Sequence, residues 1–303
     1  MTNAENTTPW PGEGEQTRLL HRITPLSDWP TIADGDPLIK IAVIDLETTG
    51  LDPQVDDILE FAVAMIKADA DGRILCVDGP HGTFNNPGRP IEPVIAKLTG
   101  ITDEMVAGQK LSPRKLADYL EEASACLAFN AAFDRRHLEM LVPEVAGKPW
   151  ICAMADVPWA ELGFDGRSQG YLLMQAGMFN PVAHRATDDV ESLANLLAHT
   201  ACDGRTILAH AMENAQGDSW RFEATDAPYR HKDALRRRGY KYSFRKVWHK
   251  LVRPADYQDE MAWYLVLTGE KPSIVPVDWR ERYRADWTWS PVKRPVEVAS
   301  WRR

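Results

Sequence analysis

The 303-residue sequence has only four cysteines, and none stands in a CxxC spacing. That excludes a zinc-thiolate site and a disulfide framework. Cys76, Cys126, Cys152 and Cys202 read as buried free thiols of a reducing compartment. No apolar run is long enough to span a bilayer, so no membrane partner is expected. The first residues, MTNAENTTPWPGEGEQ, lack the apolar segment of a signal peptide. A cytoplasmic protein is the expectation. Positive charge is also short: 35 Lys and Arg stand against 44 Asp and Glu, a net charge of −9. That argues against non-specific attraction to a polyanion. It leaves a nucleic-acid enzyme open, because bound metal or a local basic patch can reverse the local field. There is no internal repeat and no low-complexity tract. At 44% hydrophobic and 26% charged, the chain is globular, with a length that suits about two domains.

What is present centres on residues 41–49, IAVIDLETT. Alternate side chains of a strand share a face, so Asp45 and Glu47 project together while Leu46 turns back into the core. Two adjacent carboxylates on a buried strand are costly unless something positive compensates them. A divalent cation with oxygen ligands would do so. The same pattern also fits a strand running out into a loop that carries solvated acids.

Apolar alternation predicts strands over residues 39–47, 57–68 and 74–85, joined by short turns into an antiparallel meander. Two short helical pieces follow in 90–108, then an amphipathic helix over 112–122 with Ser and Pro at its start. A short buried strand (125–130) leads into a helix (131–141). Another short strand (150–154), a helix over 168–177 and a strong helix over 184–201 complete the unit. One more helix is expected over 206–216. The expected division is a mobile or loosely docked leader (1–36), a main α/β domain (37–204), a small basic and aromatic α+β module (205–270) and an irregular Trp/Arg/Pro-rich tail (271–303).

Two distant acids are candidate partners for Asp45 and Glu47. Asp134 lies just inside a helix after a buried strand, facing the positive end of the helix dipole. Asp189 follows His184 by five residues near the start of a long helix. Taken alone, the first is an ordinary N-terminal helix acid, and a lone histidine is more often a hydrogen-bonded surface or core residue. Together the four acids can surround two metal ions about 3.5–4 Å apart, one activating water and one stabilising a leaving oxygen. The all-oxygen set suits Mg²⁺ or Mn²⁺. A neutral histidine beside the water would serve as general base.

The segments VIDLETTGL, FNAAFDRRHL and HRATDDVESL, in that order, resemble the DnaQ-like DEDDh 3′→5′ exonucleases, a family that includes the epsilon proofreading subunit, exonuclease X and RNase T. PIEPVIAKLTGITDEMV is similar to the family's connection before the second motif. The resemblance covers roughly residues 38–200. It implies an RNase H-like mixed sheet with helices on its faces. It implies Asp45, Glu47, Asp134 and Asp189 as ligands of two Mg²⁺ or Mn²⁺ ions and His184 as general base. The family spacing selects Asp189 over its neighbour Asp188. It further implies that Leu46, Thr48 and Thr49 contact the 3′-terminal nucleotide, that Ile101 wedges against its base and that Asn130 lies beside the backbone. Phe129 departs from the histidine many relatives carry before this Asn. The partner implied is the 3′ end of nucleic acid, single-stranded DNA ahead of RNA, with nucleoside 5′-monophosphates released. An RNA-trimming enzyme, or a catalytically silent binding or assembly module on the same fold, is the alternative. Relatives differ in oligomeric state, so a homodimer stays open.

The stretch APYRHKDALRRRGYKYSFRKVWHKLV interleaves cations with Tyr240, Tyr242, Phe244 and Trp248. Such a patch can hold a single strand by phosphate contact and stacking. It equally fits a small module whose aromatics are its core, with docking of a protein partner as its role.

Overall fold

The computed structural model describes residues 18–30, 39–182, 185–225, 227–242 and 246–284. In chain order the strands are β1 (His21–Arg22), β2 (Ile39–Thr48), β3 (Ile58–Ala68), β4 (Ile74–Phe84), β5 (Ala125–Ala128), β6 (Trp150–Cys152), β7 (Met178–Phe179), β8 (Trp220–Ala224), β9 (Lys241–Tyr242), β10 (Trp248–Val252) and β11 (Ser273–Pro276). The helices are α1 (Pro93–Thr99), α2 (Asp103–Val106), α3 (Pro113–Glu121), α4 (Ala131–Leu141), α5 (Ala153–Asp156), α6 (Gln169–Gln175), α7 (Ala186–Ala198), α8 (Ile207–Gln216), α9 (Lys232–Arg237) and α10 (Tyr257–Thr268). No helix among the described residues is long and apolar enough to cross a membrane.

Five strands form the main sheet in the order β4-β3-β2-β5-β6. The first three pair antiparallel, and β5 and β6 add in parallel. This is the RNase H-like mixed sheet the motifs imply. Because β2 is buried on both faces, its side chains alternate between two cores. Ile41 and Val43 pack with Val190, Leu193 and Leu197 of α7. Ala42, Ile44 and Leu46 pack with Leu120, Leu138 and Trp150. Each fully buried Ile or Leu contributes about 1.5–3 kcal/mol. α3 starts as its sequence suggests: the Ser112 hydroxyl accepts the Lys115 N–H at 3.4 Å, with Pro113 in the first turn.

The amino-terminal segment is not loosely docked where it is described. His21 N–H donates to Gly177 and Ile23 N–H to Phe179, so β1 lies parallel to β7. Thr24 exchanges two hydrogen bonds with the Asn195 side chain, and Ile23 and Leu26 are buried. Residues 1–17 lie outside the described residues.

The carboxy-terminal module is a four-stranded sheet in the order β11-β8-β10-β9, covered by α9 and α10. The stretch expected to be irregular from residue 271 supplies β11, antiparallel to β8. The chain then returns to the main domain. Trp150 N–H donates to Trp279 O at 2.9 Å, and the fully buried Arg135 donates to the carbonyl oxygens of Arg280 and Arg282. Buried Asp156 takes Arg253 and the Tyr283 hydroxyl. Tyr240 is core rather than a stacking surface, and Lys250 and Arg238 both neutralise buried Glu260. Phe244 and Arg245 lie outside the described residues. Of the cysteines, Cys76, Cys126 and Cys152 are buried, but Cys202 is exposed, because its loop leaves the sheet between α7 and α8.

Candidate active site

β2 delivers the first two acids. Its odd-numbered residues face α7, so Asp45 and Glu47 project toward that helix, and Leu46 is buried on the opposite side. The pairing with β3 shifts register between Glu47 and Thr48. Such an irregularity re-aims side chains at the end of a strand. α7 brings Asp189 in its first turn, and one carboxylate oxygen each of Asp45, Glu47 and Asp189 lie within 4.8 Å of one another. α4 brings Asp134, buried in its first turn, where its carboxylate accepts its own N–H and that of Leu46. Asp134 lines the same cleft as the triad, and its charge helps push the Asp45 carboxyl up.

The electrostatics are those of a cage of crowded anions. Burial first, then Asp134, Asp189, Glu47 and Glu60, push the Asp45 carboxyl well above its ordinary range. Glu47 rises to about 7, by burial and then by Asp189 and Glu60, with Arg185 opposing. Asp134 rises to about 8, chiefly by burial. Such a cluster gains from any cation that replaces its protons. Its oxygen-only donors and spacing fit hard divalent ions.

Several supports were not singled out in the sequence. Glu60 lies directly across the ladder from Glu47. Arg185 donates to both of its oxygens at 3.0 Å, and Ala186 N–H adds a third bond at 3.2 Å. This fork ties the start of α7, and so Asp189, to β3. Gln169 Nε2 donates to the Asp189 carbonyl at 2.9 Å. Gly82 on β4 lets α7 approach: a Cβ there would stand 2.5 Å from Thr187 Cγ2. The one readable signal was Glu60 itself, a single acid within the apolar run ILEFAVAM.

The four acids, Leu46 and Asn130 line one cleft of about 700 Å³. Asn130 precedes α4 and is exposed at its edge, with no capping bond. Thr48, Thr49 and Ile101 lie outside the cleft. The Thr48 hydroxyl donates to Gly50 O at 2.6 Å. The Thr49 hydroxyl is occupied by Asp57 N–H and Arg89. Ile101 is fully buried with Leu59, Ile91 and Val106, so it presents no wedge to a base in this conformation. Asp188 is absent from the triad, and His184 lies outside the described residues. The opposite wall is apolar, with Phe129, Phe133, Leu173 and Met178. A second cavity, of about 810 Å³, opens at the other end of β3. Its charges are paired, Arg205 with Glu213 and Arg73 with Asp69 and Asp71.

Residues 42–197 match the RNase_T family model, described as Exonuclease, and the chain belongs to this DnaQ-like exonuclease family. A DNA polymerase III PolC-type from Thermotoga petrophila is 41% identical over 133 residues, 39% of this chain and 9% of that protein. The chain spans about a tenth of the length of such PolC-type relatives. The DNA polymerase III subunit epsilon of Treponema pallidum is 27% identical over 185 residues, 57% of this chain and 83% of that one. Among solved structures, exonuclease X in complex with 5′ overhanging duplex DNA aligns with a TM-score of 0.40 at 24% identity, over 56% of this chain and 99% of that one.

Proposed function

We propose that the protein is a metal-dependent 3′→5′ exonuclease that hydrolyses the terminal phosphodiester of a nucleic-acid strand and releases nucleoside 5′-monophosphates. The observation that carries this reading is the convergence of Asp45, Glu47 and Asp189 within 4.8 Å, with Asp134 beside them, in one open cleft. These four carboxylates would hold Mg²⁺ or Mn²⁺. When bound, a pair of such ions neutralises the cage, activates water and offsets charge on the scissile phosphate. His184, one residue before the anchored Arg185, takes the proton of the attacking water. The apolar wall of Phe133 and Leu173 receives the terminal base, and Asn130 positions the backbone beside it. DNA is the proposed substrate, because the relatives are named as DNA polymerase III chains.

The test is a 5′-labelled oligonucleotide with Mg²⁺ or Mn²⁺. Stepwise shortening from the 3′ end, abolished by EDTA and by Asp45→Ala, supports the assignment. Equal shortening by Asp45→Ala would sink it. Parallel reactions with DNA and RNA of one sequence decide the sugar preference. Faster RNA shortening would overturn the DNA choice alone.

A further inference from the structure

The segment of residues 18–23 precedes the region that the exonuclease family shares, which starts at residue 42. It nevertheless reaches the cleft of the four acids, because Leu20 lines it together with Met178 and Phe179 of β7. The backbone explains how. β1 is hydrogen-bonded to β7 through His21 N–H and Ile23 N–H. It is held on α7, the helix that carries Asp189, by the Thr24–Asn195 exchange and by Leu26 N–H donating to Glu191 Oε1 at 3.3 Å. Ile23 and Leu26 do the sealing, since both are buried. Side chains alternate along an extended strand, so Arg22 shares the face of Leu20, opposite buried Ile23. Arg22 is exposed and has no ion-pair partner among the described residues. His21 beside it is exposed as well. An exposed Leu19, a cleft-lining Leu20 and an exposed Arg22 are not needed to close the core. Leu20 lines a cleft whose floor is strongly acidic, and Arg22, opposite the cleft-lining Phe179 in the β1–β7 ladder, places a cation beside it, in a chain of net charge −9.

We infer that residues 18–23 are a second wall of the active-site cleft that grips the nucleic-acid strand, with Leu20 packing on a base and Arg22 holding a phosphate. This rests on the exonuclease reading and adds to it a substrate contact built by this chain's own amino-terminal segment. A phosphodiester backbone is the fitting occupant, because it offers a base face and an anion at adjacent positions along one strand.

The experiment separates grip from chemistry. Binding of a fluorescent single-stranded oligonucleotide is measured by anisotropy in the Asp45→Ala background with Ca²⁺, over a range of salt. Arg22→Ala should weaken binding roughly three- to ten-fold and lower the salt slope by about 0.7, the share of one single-strand phosphate. Arg22→Lys should restore most of that slope, and Leu20→Ala should weaken binding with the slope kept. With Asp45 intact, KM on the oligonucleotide should rise several-fold more than KM on the p-nitrophenyl ester of thymidine 5′-monophosphate, which is too short to reach the rim. Thermal unfolding checks that each variant folds. If the protein shortens oligonucleotides but Arg22→Ala keeps wild-type affinity and slope, the rim assignment is wrong and the exonuclease reading stands. If both substrates lose equally, the segment only supports the fold, and the inference is again overturned. If the unaltered protein neither binds nor shortens oligonucleotides, the rim and the exonuclease reading fail together.

Discussion

Glu60 stands directly across the β-ladder from Glu47, and the Arg185 fork grips both Glu60 oxygens at 3.0 Å. The pair places one buried acid out of play and uses it to anchor the helix that carries Asp189. Removing one partner of a fully buried pair costs about 3–5 kcal/mol. Arg185 keeps 30% of its side-chain exposure, which discounts that figure. Arg185→Ala should therefore lower unfolding free energy by about 2–3 kcal/mol in urea titrations. It should also reduce kcat, because Asp189 loses its anchor. An unchanged urea midpoint would show that the pair contributes nothing.

The acid cage makes the metal-free protein pH-sensitive in a definite direction. Glu47 and Asp134 titrate near 7 and 8 in the fold and near 4 when unfolded. Between those values the folded state binds more protons, so stability is greatest at low pH and falls as pH rises from about 4 to about 8. In EDTA, the contribution of these groups should lower the melting temperature across that window. Mg²⁺ or Mn²⁺ at pH 8 should restore it and release protons, measurable by calorimetry in buffers of different ionisation enthalpy. A metal-independent melting temperature at pH 8 would contradict the cage.

Gly82 is a spacing residue for the same helix. In Gly82→Val the new Cβ would stand 2.5 Å from Thr187 Cγ2, so the Thr187 side chain must turn away or α7 must move outward. Overpacking of this kind costs about 1–3 kcal/mol. Activity should fall more than the loss of folded protein explains, as read by kcat per folded molecule from circular dichroism.

The carboxy-terminal return is part of the main domain's structure. Arg135, fully buried next to Asp134, is satisfied by Glu139 and by carbonyl oxygens of residues 280 and 282. A chain ending at residue 272 leaves that guanidinium with Glu139 alone and leaves Asp156 with Arg253 but without the Tyr283 hydroxyl. Its melting temperature should drop by several degrees, and protease should nick α4 earlier. Equal melting temperatures would mean that the return segment contributes nothing to the main domain.

The meander and the start of α3 were legible because each depends on local pattern, alternation in β2 and a cap at Ser112, whereas the set of four acids was proposed from the order and spacing of three distant motifs. β1 and β11 were not. A strand of two or four residues has no period of its own and exists only because β7 or β8 offers an edge. The burial of Ile101 was hidden for a related reason, since its partners Leu59 and Ile91 come from separate elements. Glu60 was visible as an acid in an apolar run, but its purpose needed Arg185, 125 residues away.

The adjacent pair Asp188 and Asp189 gives the sharpest test of the metal cage. Of the two, it is Asp189 that joins Asp45 and Glu47 within 4.8 Å among the described residues. Initial rates of 3′-end shortening should be compared for Asp188→Ala and Asp189→Ala under Mg²⁺, with Mn²⁺ binding followed by calorimetry. The expected result is a loss of about 10³-fold or more in rate, together with weakened Mn²⁺ binding, for Asp189→Ala, while Asp188→Ala stays within a few-fold of wild type. Retained activity and Mn²⁺ binding in Asp189→Ala, or an equal collapse in both variants, would contradict the assignment of the cluster as the catalytic metal site.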